Sequence, residues 1–377
     1  RKQNKGGGKR QRAKQRAQYD ELDKYPVMPP HAFARIVRDK QTLNIIYQII
    51  EPPMTKKEQE YRDEILDIFI RSLTANIEEI DANPEAYIRT AMDKVIKSYG
   101  MKINKKSKSK IFYYLRRDLI GYGQMDVLMN DINVEDISLD GTGVPIFAYH
   151  RKFESVETTC VWNTDDELES YVIKLAQRCG KHISVADPLL DATLMDGSRI
   201  VMKLGHEIST RGSAFCIRRF KDDPFSPADI VAFRTMSSLM VAYLWIGFQN
   251  EVPMLFVGGT ASGKTTTLNA MCIFIPWQMK IVSIESTREV NIPQPNWVPG
   301  LTRQGFGGES TEGVIGEFEL LKAALRERPE YIIVGEIRGA EAYVLFQAMA
   351  TGHCAYSTVH ALSLIHISEP TRRYAIS

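Results

Sequence analysis

Apolar positions along this chain change their period twice, and each change predicts a different kind of element. Over 54–118 they recur every three or four residues, with Tyr61, Ile65, Leu66, Ile68 and Phe69 on one stripe, the spacing of an amphipathic helix. Asn83-Pro84 breaks the stretch, and a second helix is predicted over 86–98. Pro26, Pro29 and Pro30 ahead of it predict irregular chain, and 102–110 reads as a basic linker. Residues 21–118 are therefore expected to form a helical N-terminal region.

From 119 to 223 the pattern mixes. Residues 134–139 alternate as a half-buried strand does, Asp140-Gly141-Thr142-Gly143 is a turn, and 145–149 starts another strand. Leu168, Val172, Leu175 and Ala176 mark a helix over 165–179, and 199–204 and 214–220 are strand-like. This segment is expected to be a small α/β lobe, closed by a hinge at Pro224 and Pro227. From 224 to 361 short unbroken apolar runs at 254–257, 280–284, 331–334 and 355–359 alternate with helical stretches. That order predicts a parallel sheet with helices on both faces. The longest apolar run, 239–248, falls short of a membrane span and reads as a core helix.

Composition adds bounds. The chain has 377 residues, 44% hydrophobic and 25% charged, which suits two or three soluble globular domains. Its net charge of +2 hides an asymmetry. Arg1, Lys2, Lys5, Lys9, Arg10, Arg12, Lys14 and Arg16 stand in the first 18 residues with no acid. The rest keeps 40 basic against 46 acidic side chains. Residues 1–20 are expected to be a basic disordered arm able to touch an anionic membrane peripherally. Cys160, Cys179, Cys216, Cys272 and Cys354 form no C-x-x-C pair, so neither a zinc site nor a disulfide framework is indicated, and a reducing, cytoplasmic setting fits. Residues 362–372, Leu-Ser-Leu-Ile-His-Ile-Ser-Glu-Pro-Thr-Arg, match one frame of a transposon-based sequencing adapter. Residues 362–377 are expected to be non-native, the natural sequence stopping near Ala361 and the rest being read-through into the adapter.

The chemistry sits in the third segment. Residues 258–265 read Gly-Gly-Thr-Ala-Ser-Gly-Lys-Thr, a phosphate-binding loop between a strand and a helix. Gly258, Gly259, Thr260, Ala261, Ser262 and Gly263 would turn backbone N–H groups on ATP phosphates. Lys264 would bring a positive charge to them, and Thr265 a hydroxyl to Mg2+. Thr266 follows at the start of the helix. Glu336 ends the run Tyr331-Ile332-Ile333-Val334-Gly335 and is placed to activate water. Glu285 ends a second apolar strand and would hold the metal, through water, or orient the nucleophile. His353 and His360 bracket a short strand, where an imidazole near a γ-phosphate could sense hydrolysis.

Together these blocks resemble the secretion and type IV pilus-like motor ATPases, above all the archaeal archaellum and pilus-assembly branch. The resemblance rests on Asp118-Leu119-Ile120-Gly121-Tyr122-Gly123, on Asp196-Gly197-Ser198-Arg199-Ile200, on 258–270 and on 328–339. It implies a RecA-like ATPase domain over 224–361, cut short, and an N-terminal lobe over 119–223. It also implies a hexameric homo-oligomer, a polytopic membrane platform as partner, pilin-like substrates reached indirectly, and a place at the cytoplasmic membrane face. Family arginines reach the γ-phosphate from the first lobe, a role carried here to Arg199, Arg218 and Arg211; such a finger contributes roughly 10³–10⁵ in rate. The family has Asp where this chain has Ser286. No nucleic acid is expected. A DNA-translocating relative and a phosphotransferase using the same loop remain the alternatives.

Overall fold

The computed structural model describes residues 18–72, 83–220, 224–259, 262–302, 315–337, 341–350 and 352–361. The arm before residue 18, the adapter-like tail, and Thr260 and Ala261 of the loop lie outside these. The chain divides into two compact units, 1–192 with 200–219, and 193–199 with 220–377.

In the first unit a nine-stranded sheet runs in the order β1-β2-β3-β6-β5-β4-β9-β8-β7. Its strands are β1 (Tyr19–Met28), β2 (Ala32–Asp39), β3 (Ile45–Ile50), β4 (Val134–Leu139), β5 (Pro145–His150), β6 (Glu154–Val161), β7 (Leu189–Thr193), β8 (Arg199–Lys203) and β9 (Ala214–Arg218). The first three correct two expectations. Residues 19–50 are an antiparallel meander instead of helical or irregular chain, and Tyr19 and Asp20 belong to it instead of to a disordered arm. β1 tolerates Pro26 and its many charges because it is an edge strand, with bulges at Glu21/Asp23 and Pro26/Met28. Asp196-Gly197-Ser198 makes the tight turn that leads into β8, with the Ser198 Oγ donating to Asp196 Oδ2 at 3.0 Å.

Three helices form a bundle in this unit: α1 (Lys56–Ser72), α2 (Pro84–Ser98) and α3 (Lys105–Leu119). Their starts are capped by side chains. Thr55 and Glu58 form a reciprocal box at α1, Asn83 accepts the Ala86 N–H at α2, and Asn104 accepts the Ser107 N–H at α3. The 102–110 stretch is thus mostly the first turns of a helix, not a linker. Ile65, Phe69, Ile88, Met92, Ile111 and Leu115 make the bundle's core. The short α4 (Asp126–Asn130) and the amphipathic α5 (Asp165–Arg178) complete the unit.

The second unit holds a five-stranded sheet in the order β10-β14-β13-β11-β12. Every neighbouring pair in it is parallel. The strands are β10 (Met254–Gly258), β11 (Ile281–Glu285), β12 (Trp297–Leu301), β13 (Tyr331–Ile337) and β14 (Cys354–His360). Helices α6 (Pro227–Ala232), α7 (Ser238–Gln249) and α8 (Lys264–Met271) share one core with Ile281, Tyr331, Ile333 and Tyr356. On the other face α9 (Glu317–Arg326) and α10 (Glu341–Ala350) pack on Val282, Ile332, Val334 and Ala355. Alternate residues of β13 thus serve opposite cores, which is why it reads as an unbroken apolar run. One expectation fails here. α7 is helical but not a core helix: only Val241 and Phe248 are buried, while Leu239 is 78% and Tyr243 77% exposed.

Candidate active site at the carboxyl ends of the parallel strands

All five parallel strands of the second unit end at the same edge, where open parallel sheets bind ligands. β10 runs into the loop. Gly263 takes φ +84° at the foot of α8, a left-handed conformation that suits glycine. The Lys264 ammonium reaches back across the loop and donates to the Gly259 carbonyl at 2.8 Å. Ser262 Oγ donates to the same carbonyl at 2.9 Å. The turn is therefore tightened by its own side chains, with the lysine charge held over it. Thr265 is half-buried and Thr266 exposed.

β13 brings Glu336. Between Val334 and Ile337 the strand carries one residue more than β14 opposite it, a bulge at Gly335-Glu336. Bulges of this kind re-aim a side chain beside a site. The Gly335 carbonyl accepts from Thr358 Oγ1 at 2.7 Å, fixing the bulge to β14. Glu336 itself is half-buried.

β11 brings Glu285, only 2% exposed. Its Oε1 accepts the backbone N–H groups of Glu289 at 2.9 Å and Val290 at 2.8 Å. Asn269 of α8 ties the same loop, its Oδ1 accepting the Asn291 N–H at 3.0 Å and its Nδ2 donating to the Glu289 carbonyl at 3.4 Å. Oε2 of Glu285 is buried and has no hydrogen-bond partner among the described residues. Burial pushes this carboxyl up to about 7, against the pull of the two N–H groups. A Cβ on Gly335 would stand 3.1 Å from Glu285 Cγ. Glycine before Glu336 is therefore the residue that lets the two acidic strand ends lie side by side.

The two histidines part company. His360 is exposed and pairs in register with Gly258, at the level of the loop. His353 precedes β14 at the opposite end of the sheet, roughly 20 Å away at the rise of a strand. The structure does not bring His353 to the loop. Among the arginines, Arg218 stands on β9 beside Asp136 at 3.5 Å, both well exposed. Arg211 is exposed, and its carbonyl accepts from the Thr142 N–H. Arg199 opens β8, half-buried. Asn269, Thr358 and the role of Gly335 were not foreseen from sequence; the glycine ahead of Glu336 was the available signal.

The donor set fits Mg2+ held mainly by nucleotide and water. No group of three His, Cys, Asp or Glu residues among the described ones could cage a metal. Mg2+ usually keeps several waters and few protein ligands. Thr265 fits as one such ligand. Glu285, with one oxygen committed to backbone and the other buried, fits direct coordination poorly.

The family described as type II/IV secretion system protein matches residues 158–369. Uncharacterized protein MJ0900 of Methanocaldococcus jannaschii is 38% identical over 327 residues, 86% of this chain and 58% of that protein. The type IV secretion system protein VirB11 of Bartonella henselae is 28% identical over 244 residues, 55% of this chain and 67% of that protein. The solved ATPase DotB of Legionella pneumophila aligns with TM-score 0.44 and 20% identity over 67% of this chain and 68% of that one. The chain spans 58%, 50%, 34% and 65% of the lengths of four M. jannaschii proteins it matches.

Proposed function

The chain belongs to the type II/IV secretion system protein family, and we propose that it is a Mg2+-dependent ATP hydrolase of the motor type. The observation that carries the reading is the phosphate loop lying at one sheet edge with the bulged Glu336. Lys264 and the loop N–H groups would hold the phosphates, with Thr265 beside the metal. Bound with its nucleotide, Mg2+ would neutralise charge on the β- and γ-phosphates. Glu336 would take the proton of the attacking water. Arg199, Arg211 or Arg218 would supply charge at the γ-phosphate, and His360 would sense its loss.

The motor would work as a hexameric ring at the cytoplasmic face of a membrane, on a polytopic platform protein, to assemble, rotate or secrete pilus-like filaments. VirB11 of B. henselae is named a type IV secretion system protein, which supports the secretion setting. The test is phosphate release from ATP by the chain, by Glu336→Gln and by Lys264→Ala. Both variants should fall at least ~100-fold. Equal hydrolysis in all three rejects the site. Transfer of phosphate to a small acceptor in place of water would point to a phosphotransferase, and stimulation by DNA to a translocase.

A further inference from the structure

The helical bundle of the first unit has one end that its own fold does not explain. Ion pairs fix the helix directions. Asp93 meets Lys108 at 2.5 Å and Glu85 meets Arg116 at 3.6 Å, so α2 and α3 run antiparallel. Ser107 Oγ donates to Glu58 Oε1 at 2.6 Å, and Lys110 Nζ to the Pro53 carbonyl at 2.9 Å, so α1 and α3 start side by side. The start of α1, the end of α2 and the start of α3 therefore share one end of the bundle. There Lys56, Lys57, Lys97, Lys102, Lys105 and Lys106 are all exposed. Lys108 and Lys110 nearby are matched by Asp93 and Glu58. No carboxylate among the described residues pairs with the other six, and Glu60 is the exposed acid closest in sequence to the start of α1.

This concentration works against folding. α3 has no acid in its first turn, where every charged residue is a lysine and the helix dipole disfavours positive charge. Like charges at the meeting of three helix ends also repel. Tyr99, at the end of α2, is 60% exposed in their midst. A tyrosine ring among lysines suits the headgroup level of a bilayer, where aromatic and basic side chains gather. The six cations are lysines with no arginine fork, and they crown a bundle end that presents one exposed aromatic. Single-stranded nucleic acid is usually held in a basic groove with several stacking rings. Among the described residues no helix is long and apolar enough to cross a membrane.

We propose that this lysine end of the bundle docks on an anionic phospholipid surface, orienting the first unit against the membrane. The contact is separate from the basic arm and does not depend on the hydrolysis reading. The test is co-sedimentation of the full chain with phosphatidylcholine vesicles, with and without a third of phosphatidylglycerol. The comparison protein is Lys97→Gln/Lys102→Gln/Lys105→Gln/Lys106→Gln, measured also in a background lacking residues 1–17. Binding should require phosphatidylglycerol, and the four substitutions should weaken it more than ~100-fold, at about fivefold per lysine. The variant's circular dichroism and its ATP hydrolysis without vesicles should match the parent. Equal binding by parent and variant in both backgrounds overturns the proposal. So does a variant that loses affinity for duplex DNA while keeping it for vesicles. Failure of Lys264→Ala to lower hydrolysis would remove the motor reading and leave this one standing.

Discussion

At the residue scale, Glu285 shows how an acid legible in sequence can take a role that is not. An acid ending an apolar strand beside a phosphate loop suggests metal chemistry. Which backbone N–H groups fold back onto it is decided by the turn that follows, and no spacing rule reports that. The structure makes Glu285 a clamp for the loop carrying Glu289, and burial lifts its carboxyl from 4.5 to about 7. The folded state then binds the proton more tightly than the unfolded one. The contribution of this carboxyl to stability is fully present below pH ~4.5, is lost as pH rises through about 7, and is level above that. The loss is on the order of 3 kcal/mol. Glu285→Gln keeps an oxygen for both N–H groups and cannot ionise. It should be more stable than the parent at pH 8 by about 1–3 kcal/mol in urea melts, with the gap closing toward pH 5. A variant less stable at both pH values would reject the clamp. Gly335→Ala tests the same contact from the other side. Its Cβ would press on Glu285 Cγ at 3.1 Å, costing about 1–3 kcal/mol. If the proposed site is right, hydrolysis should drop with it, and a melt and rate unchanged from the parent would mean that the strands yield freely.

At the element scale, the first three strands escaped the pattern and the apolar helix misled it. β1 is an edge strand whose charges face water, so tertiary position, not local period, makes it a strand. α7 satisfies every apolar criterion, yet most of that surface stays exposed among the described residues. By contrast four of the five parallel strands were visible; β11, β13 and β14 are buried on two faces, which leaves little room for polar residues, whereas the half-exposed β12 escaped. What holds the early meander is a buried polar knot. Asp131 Oδ2 accepts from Tyr25 and Tyr47, each at 2.6 Å, and Oδ1 from the Asn133 N–H at 2.9 Å. His150 Nδ1 accepts the Lys152 N–H at 3.1 Å, so its Nε2 can carry the proton toward Tyr25 Oη, 3.0 Å away. Burial, and next Asp131 itself, hold both phenols well above their ordinary range, and burial keeps His150 below its own. The knot joins β1 and β3 to β5 and to the turn before β4. Asp131→Ala would leave two hydroxyls, the Asn133 backbone N–H and the Asn133 side-chain amide without this acceptor. It should cost on the order of 3 kcal/mol and speed amide exchange in β1 and β3 before the rest of the unit. A loss under ~0.5 kcal/mol, or exchange spread evenly over the unit, would mean the strands hold without it.

At the scale of the whole molecule, the arginine question and the ring question are one. Arg218 pairs with Asp136 on an exposed surface at 3.5 Å, a contact worth about 0–1 kcal/mol. Sequence placed three arginines by analogy and had no means of ranking them, because a finger is defined by where it reaches in the working assembly. Rates can rank them. Under the proposed ring, turnover per subunit should climb with protein concentration as subunits associate, then level off. Arg199→Ala, Arg211→Ala and Arg218→Ala would each be measured on that plateau. The true finger should lower turnover by roughly 10³–10⁵ while leaving the plateau concentration and nucleotide affinity near the parent's. The other two should change it only a few-fold. Turnover per subunit that is flat with concentration would reject the ring, and a plateau untouched by all three variants would mean that the γ-phosphate draws its charge from elsewhere in the protein.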